Sequence, residues 1–439
     1  MKVSIFGLGY VGAVSCGCLA QDGHEVVGVD VSEDKVRIVR EGRTPIIEDE
    51  IGDVISREVK SGRLRATTDA TAAVMDTDIS LIAVGTPSRA NGSLDTQWVE
   101  RVAEQIGAVL ARKDKRHIVG VRSTVLPGTV RAEVIPALER ASGKKAGVDF
   151  GVCFNPEFLR EGTSVKDHYN PPFTLVGSDV EADAKALNGL YEKTAGEKFT
   201  SSLETAEMVK YACNAFHALK LTFANEIGIL SQQMGVDSHA AMRLVCQDTK
   251  LNISPAYMRP GFAFGGSCLP KDVRALLAYS RAHDCEVPLL QGVMTSNKAQ
   301  IQRAIDLVLA TGKRKVTMLG LSFKEGTDDL RESPLVMLAE ALIGKGCDLR
   351  IYDQNVSVAR LVGANKRYIE NEIPHVSSLL VTDLASAVEH GEVLVIGNAA
   401  PEFKTTLPAL LKGCKTIVDL VHVGELKNLP QVEYRGITW

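Results

Sequence analysis

One cysteine of the nine in this chain stands where its chemistry changes. It lies in the run Phe264-Gly265-Gly266-Ser267-Cys268-Leu269-Pro270-Lys271-Asp272. The glycines ahead of it allow a ligand to come close, and Pro270 suits the first turn of a helix. A thiol at the positive end of that helix, with Lys271 nearby, is driven toward the nucleophilic thiolate. Asp272, four residues on, shares its helical face and suits a base or a holder of water. The other eight cysteines read as small buried hydrophobes. They are scattered, odd in total and free of CxxC pairs, which points to reduced thiols in the cytoplasm. No disulfide framework, zinc ribbon or other metal site is expected.

A second constellation opens the chain. Gly7, Gly9 and Gly12 follow the short apolar run Lys2–Phe6 and precede the small, apolar stretch Val11–Ala20. Glycines at this spacing allow a tight turn, backbone approach to a pyrophosphate and close packing of helix on strand. Asp30 ends the next strand, eighteen residues after Gly12. A carboxylate there binds ribose hydroxyls and repels a 2′-phosphate, so the expected cofactor is NAD rather than NADP. Two weaker stretches also follow strands, where the sites of α/β sheets lie: Arg122–Thr129, with Thr124, and Asn155-Pro156-Glu157-Phe158. Lys210, Asn214 and His217 form a polar strip at i, i+4 and i+7 of a long helical pattern. Spacing alone favours a solvated edge for that strip.

The elements that must position these residues alternate. Lys2–Phe6, Glu25–Asp30, Ile79–Val84, His117–Arg122 and Phe150–Cys153 read as buried strands, with helical patterns such as Thr96–Ala111 between them. This alternation implies a parallel sheet covered on both faces. Residues 203–235 hold no proline and recur apolar at three- and four-residue spacing, a helix long enough to join two domains. Its wide apolar face reads as core, or as core and dimer interface. After Gly312 the alternation restarts, with strands at Lys315–Leu319, Asp348–Tyr352, Val393–Gly397 and Thr416–Leu420. The expected fold is α/β: two Rossmann-like doubly wound domains joined by a long central helix and helical middle domain. The expected boundaries are 1–202, 203–300 and 301–439. Fifty Lys and Arg against 54 Asp and Glu give a net charge of −4, without the basic excess of a nucleic-acid or membrane-surface protein. No apolar run is long enough to span a bilayer. The opening residues outline a short signal peptide, but their glycines and Asp22 fit the nucleotide turn better.

Taken together, these pieces resemble the UDP-glucose/GDP-mannose dehydrogenase family along the whole chain. The matching motifs are Gly7–Gly12, Gly85-Thr86-Pro87, Arg122–Thr129, 155–161, Glu207–Asn214, Gly261–Asp272 and Gly320-Leu321-Ser322-Phe323-Lys324. The resemblance implies a twofold oxidation of a sugar nucleotide by NAD. In it Cys268 is the nucleophile, Lys210 and Asn214 stabilise an oxyanion, Asp272 and Thr124 position water or a base, and Glu157 is a base for hydrolysis. It adds Tyr10, Val11, Lys35, Thr86, Thr124, Lys271 and Arg331 to Asp30 and the glycines as cofactor contacts. For the sugar nucleotide it implies Glu161, Lys210, Asn214, His217, Asn225, Tyr257, Arg259, Phe262, Gly265 and Lys324. It also implies a homodimer or larger homo-oligomer with shared sites.

The stretches Gln247-Asp248, Lys250-Leu251-Asn252 and 258–269 look most similar to the GDP-mannose-oxidising branch. That implies GDP-mannose as substrate and GDP-mannuronate as product, feeding an alginate-type polysaccharide, with UDP-glucose or another sugar nucleotide as the alternative. Ala256 departs from the family pattern, which has an aromatic residue there. A one-step alcohol or hydroxyacid dehydrogenase needs no cysteine nucleophile, so the Gly-Gly-Ser-Cys stretch argues against it. Intact Cys268, Lys210, Asn214 and Asp272 argue against a non-catalytic sugar-nucleotide sensor.

Overall fold

The computed structural model describes the 439 residues except 47, 49, 91–92, 161, 255–259, 267–268, 323–329, 331, 355, 357–375 and 414, and the side chains of 221, 271 and 377. The chain divides into two compact units, Met1–Ala218 and Leu219–Trp439.

In the first unit the strands are β1 (Lys2–Phe6), β2 (Glu25–Val29), β3 (Leu64–Thr67), β4 (Ile79–Ile82), β5 (Ile118–Val121), β6 (Gly151–Phe154), β7 (Phe173–Gly177) and β8 (Glu197–Ser201). Their order is β3-β2-β1-β4-β5-β6-β7-β8. The pairs from β3 to β6 are parallel, with Val3 opposite both Val26 and Ile79. Alternation divides β1 between two apolar layers. Val3 and Ile5 pack with Val14, Leu19 and Ile55 of two helices on one face. Phe6 packs with Ile106, Val109 and Leu138 on the other. β4, β5 and β6 are buried throughout, as strands covered on both faces must be.

The sheet is not wholly parallel. β7 pairs antiparallel with β6 through Phe154 and Gly177, and β8 then runs parallel to β7. Neither of those strands nor β3 is among the strands expected from sequence. β8 (EKFTS) is mostly exposed, and a polar edge strand carries no apolar run to announce it.

The second unit holds a sheet of β9 (Lys315–Leu319), β10 (Asp348–Tyr352), β11 (Val393–Ile396), β12 (Lys415–Asp419) and β13 (Val432–Gly436), ordered β10-β9-β11-β12-β13 and all parallel. Four of these were expected; β13 adds a fifth. Its core joins Val316, Met318 and Val395 to Leu335, Leu338 and Leu342 of helix Pro334–Gly344.

The long helix runs Leu203–Gln233. In the first unit its Glu207, fully buried, accepts the Gly128 N–H (2.6 Å) and Val130 N–H (2.9 Å). Burial pushes the Glu207 carboxyl up, against the pull of those two donors. In the second unit its Glu226 accepts the N–H groups of Leu289 (2.6 Å) and Leu290 (3.0 Å), in the first turn of helix Pro288–Leu309. Each carboxylate satisfies donors that the start of a helix leaves without an internal partner. The α/β fold of two Rossmann-like sheets and a helical middle is therefore present.

Candidate active site

The turn after β1 explains its own glycines. Gly7 has φ +101°, and a Cβ there would meet the Ala83 carbonyl oxygen at 2.8 Å. A Cβ at Gly12 would lie 1.8 Å from the Gly7 carbonyl oxygen, so only glycine lets the helix start so close to the strand. A Cβ on Gly9 would meet no protein atom within 4 Å, leaving room for a ligand against the backbone. Helix Tyr10–Gln21 starts here, and no side chain caps its N-terminus. An uncapped N-terminus in a glycine cradle suits a pyrophosphate.

Two cavities meet at this turn, sharing Gly9, Ala83, Val84 and Gly85. The first, about 440 Å³, contains Asp30, Lys35, Trp98 and Arg101 in its lining. Asp30 is fixed by the Leu8 N–H (2.7 Å), the Ser32 N–H (2.9 Å) and the Lys35 ammonium (3.3 Å). Arg101 lies 4.7 Å over the Trp98 ring, and neither residue was singled out from sequence. The second cavity, about 250 Å³, brings together Tyr10, Val11, Thr86, Thr124 and Glu157. The Thr86 hydroxyl donates to the Thr124 carbonyl (2.8 Å), tying together the loops after β4 and β5.

Lys210 joins this group. Its ammonium donates to Glu157 Oε1 (2.8 Å) and to the Glu157 carbonyl (2.6 Å), and stands 5.5 Å over the Phe158 ring. Lys210 is buried, so the solvated-edge reading fails for it. Asn214 and His217, further along the same helix, are exposed. Beneath the site, Arg122 donates to Asn155 Oδ1 and to the Tyr191 hydroxyl, both at 2.5 Å, holding the start of the Glu157 segment. The turn that follows is shaped by Asp167, which takes two bonds from the Arg160 guanidinium and one from its N–H.

In the second unit, helix Leu269–Ala282 begins one residue after Cys268 in sequence, with Asp272 exposed in its first turn. The loop before it is pinned to helix Pro288–Leu309. Asn297 exchanges two hydrogen bonds with the Phe264 backbone (both 2.9 Å), and Gln300 donates to the Gly261 carbonyl (2.5 Å). The Gly265 requirement comes from the chain itself. A Cβ there would lie 2.4 Å from the Glu332 carbonyl oxygen and 2.5 Å from Pro334, so glycine is needed for packing whatever a ligand requires. Arg274 holds that neighbouring segment through two 2.6 Å bonds to Glu332. Phe262 packs against the core of the second sheet, and Asn225 is exposed. Glu161, Tyr257, Arg259, Cys268, Lys324, Arg331 and the Lys271 side chain lie outside the described residues.

A glycine turn, a carboxylate just after β2 and two adjoining cavities at the C-terminal edge of a Rossmann-like sheet are the features of a dinucleotide-binding domain, as in the Rossmann dehydrogenases. Three models of one family match consecutive parts of the chain: the NAD binding domain of the UDP-glucose/GDP-mannose dehydrogenase family over residues 1–195, its central domain over 204–299 and its UDP binding domain over 317–424. The chain belongs to the UDP-glucose/GDP-mannose dehydrogenase family; it is an NAD-dependent dehydrogenase. It is 53% identical over 439 residues to GDP-mannose 6-dehydrogenase of Pseudomonas aeruginosa and 52% identical over 439 residues to that of Azotobacter vinelandii, covering 100% of both chains in each case. A solved ternary complex of GDP-mannose dehydrogenase from Pseudomonas aeruginosa matches with a TM-score of 0.95 at 52% identity, covering 100% of each chain. Among the described residues, no helix is long and apolar enough to cross a membrane.

Proposed function

We propose that the chain oxidises GDP-mannose twice to GDP-mannuronate, the precursor of an alginate-type polysaccharide. The observation that carries the reading is the second cavity. It sets Thr86, Thr124 and a Lys210-paired Glu157 beside the Gly9–Val11 turn, at the edge where a nicotinamide ring would lie. The full-length likeness to GDP-mannose 6-dehydrogenases supports the choice of sugar nucleotide.

In this reading residues 1–202 hold the cofactor, 203–300 carry the dimer helix and the cysteine loop, and 301–439 hold the nucleotide of the substrate. NAD, when bound, accepts the hydride of each oxidation. Cys268 adds as thiolate to the aldehyde carbon, giving a thiohemiacetal whose oxidation leaves a thioester. Water then cleaves the thioester, releasing the carboxylate and regenerating the thiol. Lys210 supplies a cation, and Asn214 an amide donor one helical turn on, toward the oxygen on which charge develops. Glu157 or Asp272 takes a proton from the water. Phe216, Leu219, Phe223 and Ile229 leave apolar surface exposed on the long helix, a face suited to a second copy of the chain.

NADH counted per sugar nucleotide tests the reading. Two NADH are expected from GDP-mannose, with UDP-glucose and UDP-N-acetyl sugars turned over far more slowly. One NADH per substrate would overturn the cysteine mechanism, and a preference for UDP-glucose would transfer the activity to that substrate.

A further inference from the structure

The segment that carries Asn155 and Glu157 is gripped at Gly162 and Ser164 by a carboxylate that the mechanism above leaves unused. Glu48 lies in the connection between helices Glu33–Arg40 and Ile51–Lys60. Its Oε2 accepts the Tyr10 hydroxyl and the Gly162 N–H, each at 2.8 Å, and its Oε1 accepts the Ser164 N–H at 2.9 Å. The Tyr10 hydroxyl also lies 3.1 Å from the Arg160 carbonyl oxygen, its second acceptor. Arg160 and Gly162 are the two sequence neighbours of Glu161, so both flanks of that residue are tied to the Tyr10–Glu48 pair. Tyr10 is also the first residue of the helix at the pyrophosphate turn, and it lines the second cavity.

Two segments distant in sequence thus converge on a carboxylate from a third. Partial burial raises the Glu48 carboxyl, but the Gly162 and Ser164 N–H groups and the Tyr10 hydroxyl outweigh it and hold the group below the usual carboxylate range. Glu48 is therefore an anion at neutral pH, and bonds to an anion are short and directional.

We infer that Glu48 is a positioning residue that ties the cofactor turn to the sugar-nucleotide loop, so that each ligand favours the arrangement the other needs. The inference rests on the reading that NAD lies on the Tyr10 turn and that Glu161 serves the sugar nucleotide. A ligand that fixes Tyr10 fixes the Arg160 carbonyl directly and, through Glu48, the Gly162 and Ser164 N–H groups. Energy shared in this way appears as coupling between two affinities, and it is reciprocal. A merely structural Glu48 would change stability and leave the coupling alone.

The coupling is measured calorimetrically on the full chain, as the ratio of GDP-mannose Kd without and with saturating NADH, a pair that does not react. Wild type is expected to bind GDP-mannose about fivefold or more tighter when NADH is present. Glu48→Ala and Tyr10→Phe are each expected to bring that ratio to within about twofold of one, and the double variant to do no more, as for residues acting as a unit. Tyr10→Phe leaves the Glu48 bonds to Gly162 and Ser164 intact, and carries the test if Glu48→Ala does not fold. A folded Glu48→Ala or Tyr10→Phe variant with wild-type coupling, or a wild type with none, overturns the inference. Glu161→Gln separates the two layers. If it leaves GDP-mannose affinity unchanged, the site reading itself fails. If it weakens binding while Glu48 variants keep their coupling, only the tie is wrong.

Discussion

Lys210 has two roles that a pair of substitutions can pull apart. Its side chain is 8% exposed and that of Glu157 11%, and their charged atoms are 2.8 Å apart. Removing the ammonium leaves a nearly buried carboxylate without its counter-ion, which costs about 3–5 kcal/mol of stability in such settings. If Lys210 also faces the oxygen on which charge develops, its loss costs about 10²–10³ in kcat. Lys210→Met should therefore be destabilised by that amount in urea unfolding and slowed by that factor in NADH production. Lys210→Met combined with Glu157→Gln removes both charges, leaving two neutral side chains of nearly the same shape. Stability should return to within about 1 kcal/mol of wild type. Activity should stay as low as in Lys210→Met alone. Glu157→Gln by itself keeps the cation and reports what the carboxylate contributes. A double variant that regained most of the wild-type rate would show that Lys210 is a counter-ion and nothing more. A Lys210→Met protein as stable as wild type would refute the burial argument at its root.

Cofactor choice and acid stability both depend on charges held close together in the first unit. Asp30 shares its cavity with Lys35 and Arg101, two cations that a 2′-phosphate could meet once the carboxylate is gone. Asp30→Ser should narrow the preference for NAD over NADP by about tenfold or more in kcat/KM, and an unchanged ratio would mean that Asp30 does not face the ribose. His117 is buried beside Ser80 (2.7 Å) and Lys113 (3.1 Å), and burial first, then the Lys113 charge, pushes it down to about 3. Because its folded pKa lies below the unfolded value of about 6.5, it stays neutral in the native state while the unfolded chain takes up a proton, so stability is full above about 6.5 and falls at about 1.4 kcal/mol per pH unit as pH drops toward 3. Urea unfolding at pH 7.5 and 5.0 should show wild type losing about 2 kcal/mol more than His117→Gln between the two pH values, and equal losses would remove His117 as the sensor.

What sequence made legible is what periodicity and glycine spacing encode. The Gly7–Asp30 turn, the long helix and four strands of the second sheet announce themselves through apolar runs and turn residues. The polar edge strand β8 does not, because an exposed edge has no apolar pattern to show. Lys210 reads as solvated from helical spacing because nothing in its own helix records the Glu157 segment that covers it. Glu48, Asn297 and Gln300 are invisible for a related reason. Each acts on backbone atoms of a distant segment, and a backbone acceptor or donor leaves no signature in residue type. Glu207 left a fainter trace, a carboxylate four residues after Leu203 and two before the apolar Val209. Its partners, the N–H groups of Gly128 and Val130, are backbone donors, and the stretch Arg122–Thr129 reads from sequence only as following a strand.

The two sheets carry the same backbone device and put it to different ends. Gly7 N–H bonds the Val29 carbonyl at 2.7 Å, and Gly320 N–H bonds the Tyr352 carbonyl at 2.7 Å. Leu8 N–H donates to Asp30 at 2.7 Å, and Leu321 N–H donates to Asp353 at 2.8 Å. The divergence comes at the third residue of each turn. Gly9 leaves open space beside Asp30, whereas Ser322 turns both its N–H (3.1 Å) and its hydroxyl (3.2 Å) onto Asp353. One oxygen of Asp353 thus takes three donors from its own turn, and the Asn398 amide lies 3.5 Å away. Both acids are largely buried, and Asp30 lines the first cavity. With the serine, Asp353 has three donors from its turn, where the first turn gives Asp30 the Leu8 N–H.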